Sequence, residues 1–178
     1  MALDVKPAYP DPNYFLVKAG DGSELVDPVY AVGELVQFQV LARDRFHNPS
    51  TKLCDATNCV STPLPTVART TLVHGVEVAD SVTVSAPMVD VGIYPVEFTP
   101  IFAGECRIEV VVGGQHVPQS PFQITVESTQ LEPSMSLVEG GGIEGGVAGF
   151  SSTFQVRLRD RHGNPVAGED HDATLQAG

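Results

Sequence analysis

Five histidines, three cysteines and a scatter of carboxylates are the side chains of this sequence that could do chemistry. His47, His74, His116, His162 and His171 stand at no metal-ligand spacing from one another or from Cys54, Cys59 and Cys106. They read as surface or turn histidines. Glu169-Asp-His-Asp172 offers oxygens that calcium would accept, but it lacks the other ligands of a calcium loop and reads as a solvated acidic loop. Gly140-Gly-Gly142 follows no βα unit, so it is a flexible turn or bulge rather than a phosphate cradle. No nucleophile–base pair stands out. The sequence therefore points to a protein that is not an enzyme, with no cofactor and no metal.

The cysteines leave one question open. Cys54 and Cys59, with four residues between them in a proline-containing stretch, could close a small disulfide, which would indicate an oxidising compartment. Two reduced thiols fit equally well, because connectivity is not readable from spacing. Cys106 sits at an apolar position of an alternating segment and is expected to be a buried, inert thiol. Asp44 and Asp160, each closing a strand, are expected to stabilise turns by accepting backbone hydrogen bonds.

The elements that must position these residues are strands. Apolar and polar residues alternate in Leu35-Val-Gln-Phe-Gln-Val40, Ser81-Val-Thr-Val-Ser85, Tyr94-Pro-Val-Glu-Phe98, Cys106-Arg-Ile-Glu-Val110 and Phe122-Gln-Ile-Thr-Val126. That period predicts one core lined by Phe38, Val40, Tyr94, Val96, Phe98, Ile108, Val110 and Phe122. Turn signals separate the strands at Asp44–Pro49, Asp90–Gly92 and Gly113-Gly114, and residues 50–67 read as a long loop. No segment of helix length carries a 3.6-residue apolar stripe with caps. The fold class that follows is all-β, an immunoglobulin-like β-sandwich.

The net charge of −12 repels a phosphate backbone, and no basic stripe interleaves with aromatics, so nucleic acid is not an expected partner. No stretch approaches the ~20 apolar residues that span a bilayer, and the opening residues have neither part of a signal peptide. Direct membrane insertion is not expected.

An internal repeat divides the chain. Phe38-Gln-Val-Leu-Ala-Arg-Asp-Arg-Phe-His-Asn-Pro49 recurs 116 residues later as Phe154-Gln-Val-Arg-Leu-Arg-Asp-Arg-His-Gly-Asn-Pro165, with eight of the twelve positions identical. A strand–turn unit repeated at this distance means tandem domains. Residues 1–127 are expected to form one complete repeat and 128–178 the beginning of a second, truncated one. Three strands cannot bury a core alone, so this second part should belong to a longer chain or form a strand-swapped dimer with another copy.

These segments together resemble the filamin repeat. The resemblance rests on Arg43-Asp-Arg-Phe-His-Asn-Pro49, Gly92-Ile-Tyr-Pro-Val-Glu-Phe-Thr-Pro100, Ala103-Gly-Glu105 and Gly113-Gly-Gln-His-Val-Pro-Gln-Ser-Pro-Phe122. Four features depart from the family's pattern. His47 replaces a turn glycine that Gly163 keeps, segment 50–67 is long, Cys106 stands where an aromatic is usual, and Pro95 falls within an inner strand.

The resemblance implies a scaffold or protein-interaction module in a rod of tandem repeats, associated with the cytoskeleton in the cytoplasm. Its partners would be extended peptide tails or neighbouring repeats, and tails would dock by adding a strand to an open sheet edge. The matching edge would run through Arg69, Thr70, Thr71, Leu72, Val73 and His74, with Val82 and Val84 on the neighbouring strand. Filamin-like repeats also occur on plant gamete-surface attachment proteins, so an extracellular adhesion module is the alternative, and a Cys54–Cys59 bridge would suit it.

Overall fold

The computed structural model describes residues 8–50, 65–73, 76–82, 92–166 and 171–176. Twelve strands carry these residues, and the only helical turns are three-residue 3-10 turns at Pro12–Tyr14, Pro133–Met135 and Gly141–Ile143. The fold is all-β.

Nine of the described strands lie in the first 127 residues: β1 (Leu16–Ala19), β2 (Val29–Ala31), β3 (Val36–Leu41), β4 (Thr66–Val73), β5 (Val76–Val82), β6 (Ile93–Phe98), β7 (Gly104–Val112), β8 (Gln115–His116) and β9 (Phe122–Glu127). One sheet has the order β1-β3-β6, the other β2-β9-β7-β4-β5, with β8 paired to β7. Among the described strands only β2 and β9 run parallel, with Val29 opposite Thr125.

Alternation decides which side chains fill the space between the sheets. Along β3, Val36, Phe38 and Val40 turn inward, and along β7 Cys106, Ile108, Val110 and Val112 are fully buried. Tyr94 and Val96 of β6 and Ile124 and Val126 of β9 complete the layer. Each such side chain stabilises the fold by roughly 1.5–3 kcal/mol through burial. Phe98 and Phe122, expected inside, are only partly buried and pack against the rim of the core. The Phe122 ring meets Phe38 edge-on at 5.5 Å. Ser120, bracketed by Pro118 and Pro121, accepts the Val110 N–H on Oγ at 2.8 Å, supplying a bond before β9 begins.

Pro95 lies opposite Gln39 in the β3–β6 pair. The expectation of an inner strand is corrected here: β6 is the outermost described strand of its sheet, so a missing N–H on its outer side breaks no ladder.

Beyond Val126 a separate antiparallel sheet forms from β10 (Leu137–Glu139), β11 (Ser151–Arg157) and β12 (His171–Gln176), in that order. Its first pair repeats the geometry of β1 with β3: Leu16 faces Leu41 and Val17 faces Val40, as Leu137 faces Arg157 and Val138 faces Val156. The connection between the paired strands is five residues shorter in the second sheet. Two of the glycines within it, Gly140 and Gly142, leave no room for a side chain. A β-carbon at Gly140 would stand 2.9 Å from the Phe154 Cα, and one at Gly142 2.9 Å from the Thr153 carbonyl oxygen.

Candidate functional site

Sheet edges expose unpaired backbone groups and are the natural place for another chain to join. The structure moves the expected edge outward by one strand. Arg69, Thr70, Thr71, Leu72 and Val73 all lie on β4, which is bonded on one side to β7 and on the other to β5. Val73 faces Val76, so the chain doubles back and β5 covers the side of β4 that was expected to be open. Val82 lies on β5 opposite Val67, while His74 and Val84 lie outside the described residues.

The described edges on this flank are β5 in one sheet and β6 in the other. They differ chemically. Pro95 interrupts the donors of β6, whereas Val76-Glu-Val-Ala-Asp-Ser-Val82 contains no proline. Between them the Arg69 guanidinium sits 5.1 Å over the Phe98 ring. Arg69 faces Ile108 in the register, so it projects from the core side of β4 and closes the flank of the sandwich. Val78 of β5, opposite Thr71, is 37% exposed.

A shallow depression of about 180 Å³ lies on the outer face of the other sheet, among Gly20, Gln37, Gln39, Pro95 and Glu97. Its polar groups already serve one another: Gln37 Nε2 donates to Glu97 Oε1 at 2.7 Å, and Gln39 Nε2 to the Gly20 carbonyl. It offers a ligand nothing convergent.

The two aspartates act as expected. Asp44 Oδ1 accepts the N–H groups of Phe46 (2.8 Å) and Asn48 (2.9 Å), and Oδ2 accepts the N–H of Ala8 at 2.8 Å. Asp160 does the same with His162 and Asn164 (both 2.9 Å), and its Oδ2 accepts the Thr129 N–H at 3.1 Å. Burial works to raise both carboxyl pKa values, but the converging hydrogen bonds outweigh it and hold both below the usual range. Each aspartate thus ties a turn to the chain entering its sheet.

Sequence reasoning missed the further role of Asn164. Its Oδ1 accepts the Ala103 N–H and its Nδ2 donates to the Ile101 carbonyl, each at 3.0 Å, joining the second sheet to the loop after β6. The only sequence signal was its place in the repeated motif, opposite Asn48.

The remaining chemistry is scattered. His47 packs edge-on against Tyr14 at 5.0 Å, and His116 Nδ1 lies 3.0 Å from Ser120 Oγ. Among the described residues no group of three or more His, Cys, Asp or Glu could hold a metal ion. Cys106 is buried and unbridged, and burial pushes its thiol pKa up against the opposing pull of Thr71 and Arg69. Cys54 and Cys59 lie outside the described residues. Among the described residues no helix is long and apolar enough to cross a membrane.

Comparison with known proteins places this architecture. The profile of the Filamin/ABP280 repeat matches residues 11–123. Filamin-A of Drosophila melanogaster is 29% identical over 175 residues, covering 93% of this chain and 8% of its own length. Filamin-C of Rattus norvegicus is 36% identical over 69 residues, 38% of this chain and 2% of its own. The chain thus spans less than a tenth of these relatives. Among solved structures, the Escherichia coli adhesin FdeC has a TM-score of 0.53 at 20% identity, covering 92% of this chain and 46% of its own. The bacterial integrin-binding protein invasin has a TM-score of 0.52 at 13% identity, covering 93% and 30%. At such identities the likeness is one of fold, an immunoglobulin-like sandwich. The family profile takes in both sheets of the sandwich and the Asp44 turn between them, and the chain belongs to the filamin repeat family.

Proposed function

We propose that this chain is a non-enzymatic link in a rod of tandem filamin repeats and captures extended peptide tails by strand addition to β5. A filamin repeat is a protein-interaction module, and the observation that carries the finer reading is the contrast between the two edges of the flank. β5 is unbroken by proline, while Pro95 deprives β6 of a donor in mid-strand. A peptide added to β5 would gain a run of backbone bonds for affinity, and alternate side chains would fall beside Val78 and the Arg69–Phe98 pair for selectivity. In the same reading residues 1–127 are one repeat and 128–178 the opening of the next. Its sheet is completed by further strands of a longer chain or by those of a second copy. The setting is the cytoskeleton.

The test is selection from a random library of unstructured peptides, followed by titration of the enriched sequences into the isotope-labelled chain. Amides of residues 76–82 should shift first and furthest, with those of Ile93–Phe98 little changed. Enriched peptides that move β6 or β1 instead, or a library that yields no binder, would overturn the reading.

A further inference from the structure

The Asp–Asn turn occurs twice in this molecule, and among the described residues only the second copy bonds to another part of the fold through its asparagine side chain. Asn164, bridging Ala103 and Ile101, is 4% exposed. Beside it Arg161 Nε donates to His162 Nε2 at 2.9 Å, and both side chains lie against Gly33. A β-carbon there would come within 3.2 Å of the Arg161 guanidinium. The Gly33 N–H donates to the Pro100 carbonyl at 2.8 Å, so Gly33 and residues 101–103 form one continuous surface.

The first turn presents the corresponding positions to solvent, with Phe46 in place of His162. Asn48 is exposed, and among the described residues its side chain bonds only to Asp44. Arg45 and Phe46 stand where Arg161 and His162 stand, with the Arg45 guanidinium 4.7 Å over the Phe46 ring. Phe46 is 61% exposed. One exposed phenylalanine is unremarkable by itself. Here it adjoins an amide that holds the same position and the same donor and acceptor as the one buried in the other copy.

The chain also enters both turns along one path. The Ala8 N–H donates to Asp44 as the Thr129 N–H donates to Asp160. Three residues on, the Asp11 N–H donates to the Arg43 carbonyl at 2.9 Å as the Glu132 N–H donates to that of Arg159 at 2.7 Å. A domain preceding Ala8 as the first repeat precedes Thr129 would deliver its corresponding loop to Asn48.

We propose that Arg45, Phe46 and Asn48 form a docking surface for the end of a preceding filamin-type repeat. The occupant presents a backbone N–H and C=O two residues apart, as Ala103 and Ile101 do, beside a glycine whose bare backbone receives the Phe46 ring. Asn48 satisfies that N–H and C=O as they lose water, and the aromatic contact excludes solvent around them. This rests on the tandem-repeat reading of the two sheets and is independent of peptide capture at β5.

Duplication of the repeat tests it. Residues 1–129 are joined to residues 9–178, so that Thr129 takes the place of Ala8 ahead of an otherwise intact chain. The added copy carries the whole described apolar core, which lies between Phe15 and Val126. Segmental isotope labelling then reads amide exchange in each copy. The Ala103 amide of the added copy should be as protected as the one facing Asn164. Asn48→Ala in the following copy should lower that protection about tenfold, leaving the Ile108 amide of the added copy unchanged. Free exchange at the added Ala103 with Ile108 protected would overturn the proposal. So would protection that rises with protein concentration, which would assign the surface to self-association. Free exchange at the Ala103 that faces Asn164 would instead defeat the tandem reading beneath it.

Discussion

The strand pair β1–β3 and the strand pair β10–β11 are built alike and buried unequally. Val17 and Val40 face each other in the first and are 2% and 0% exposed. Val138 and Val156 face each other at the corresponding place in the second, where Val138 is 50% exposed and Val156 only half-buried. Phe38 is 2% exposed, whereas Phe154 is half-buried and Phe150 close by is 71% exposed. Pairing is local: an alternating strand and a hydrogen-bonded neighbour suffice. Burial is not. It comes from the opposite sheet, where β7 supplies Cys106, Ile108, Val110 and Val112 to cover β3.

The largest test of this contrast is one truncation made in both places. Phe38→Ala should cost ~3–5 kcal/mol, because it opens a cavity in a packed core, while Phe154→Ala should cost less than ~1 kcal/mol. Urea denaturation of each variant measures both. Equal losses would mean that the second sheet is covered as well as the first.

A middle-sized effect should come from acid. Asp44 and Asp160 have carboxyl pKa values lowered by the N–H groups they accept, despite the opposing effect of burial. A depressed native pKa stabilises the fold above the unfolded value of about 3.9, and that contribution is lost as pH falls through the native value. Melting temperature should therefore decline below about pH 4. Asp44→Asn and Asp160→Asn should each lower it by several degrees at pH 7, since an amide NH2 would confront N–H donors, and each should flatten the acid decline. Asp160→Asn should also free the Thr129 amide to exchange, whereas Asp44→Asn should free that of Ala8.

The smallest difference lies at the turn tips. His47 and Gly163 both adopt the left-handed conformation, at φ 65° and 83°. Gly163→Ala should cost ~1 kcal/mol. His47→Gly should change stability by less than ~1 kcal/mol, since relief of the backbone is offset by loss of the edge contact with Tyr14. Thermal melts of the two variants should thus move by unequal amounts.

Much of the fold was legible in the residues themselves. A period of two assigns each side chain to a face, which is why Phe38, Val40, Tyr94, Val96, Ile108 and Val110 were placed inward from sequence and are buried. The Asp44 and Asp160 turns were legible because a short carboxylate four residues before an asparagine can reach the backbone only within its own turn and the adjoining chain. Three features took tertiary structure to decide. β5 joined β4 and so took over the edge, Phe98 and Phe122 came to lie at the rim, and Asn164 reached across to Ala103. The reason is common to them. Alternation says which way a side chain points along its own strand but not which strand lies alongside, because the ladder is made by backbone groups that every residue except proline possesses alike. Pro95 is the exception, and it sits on a strand that the fold left at an edge.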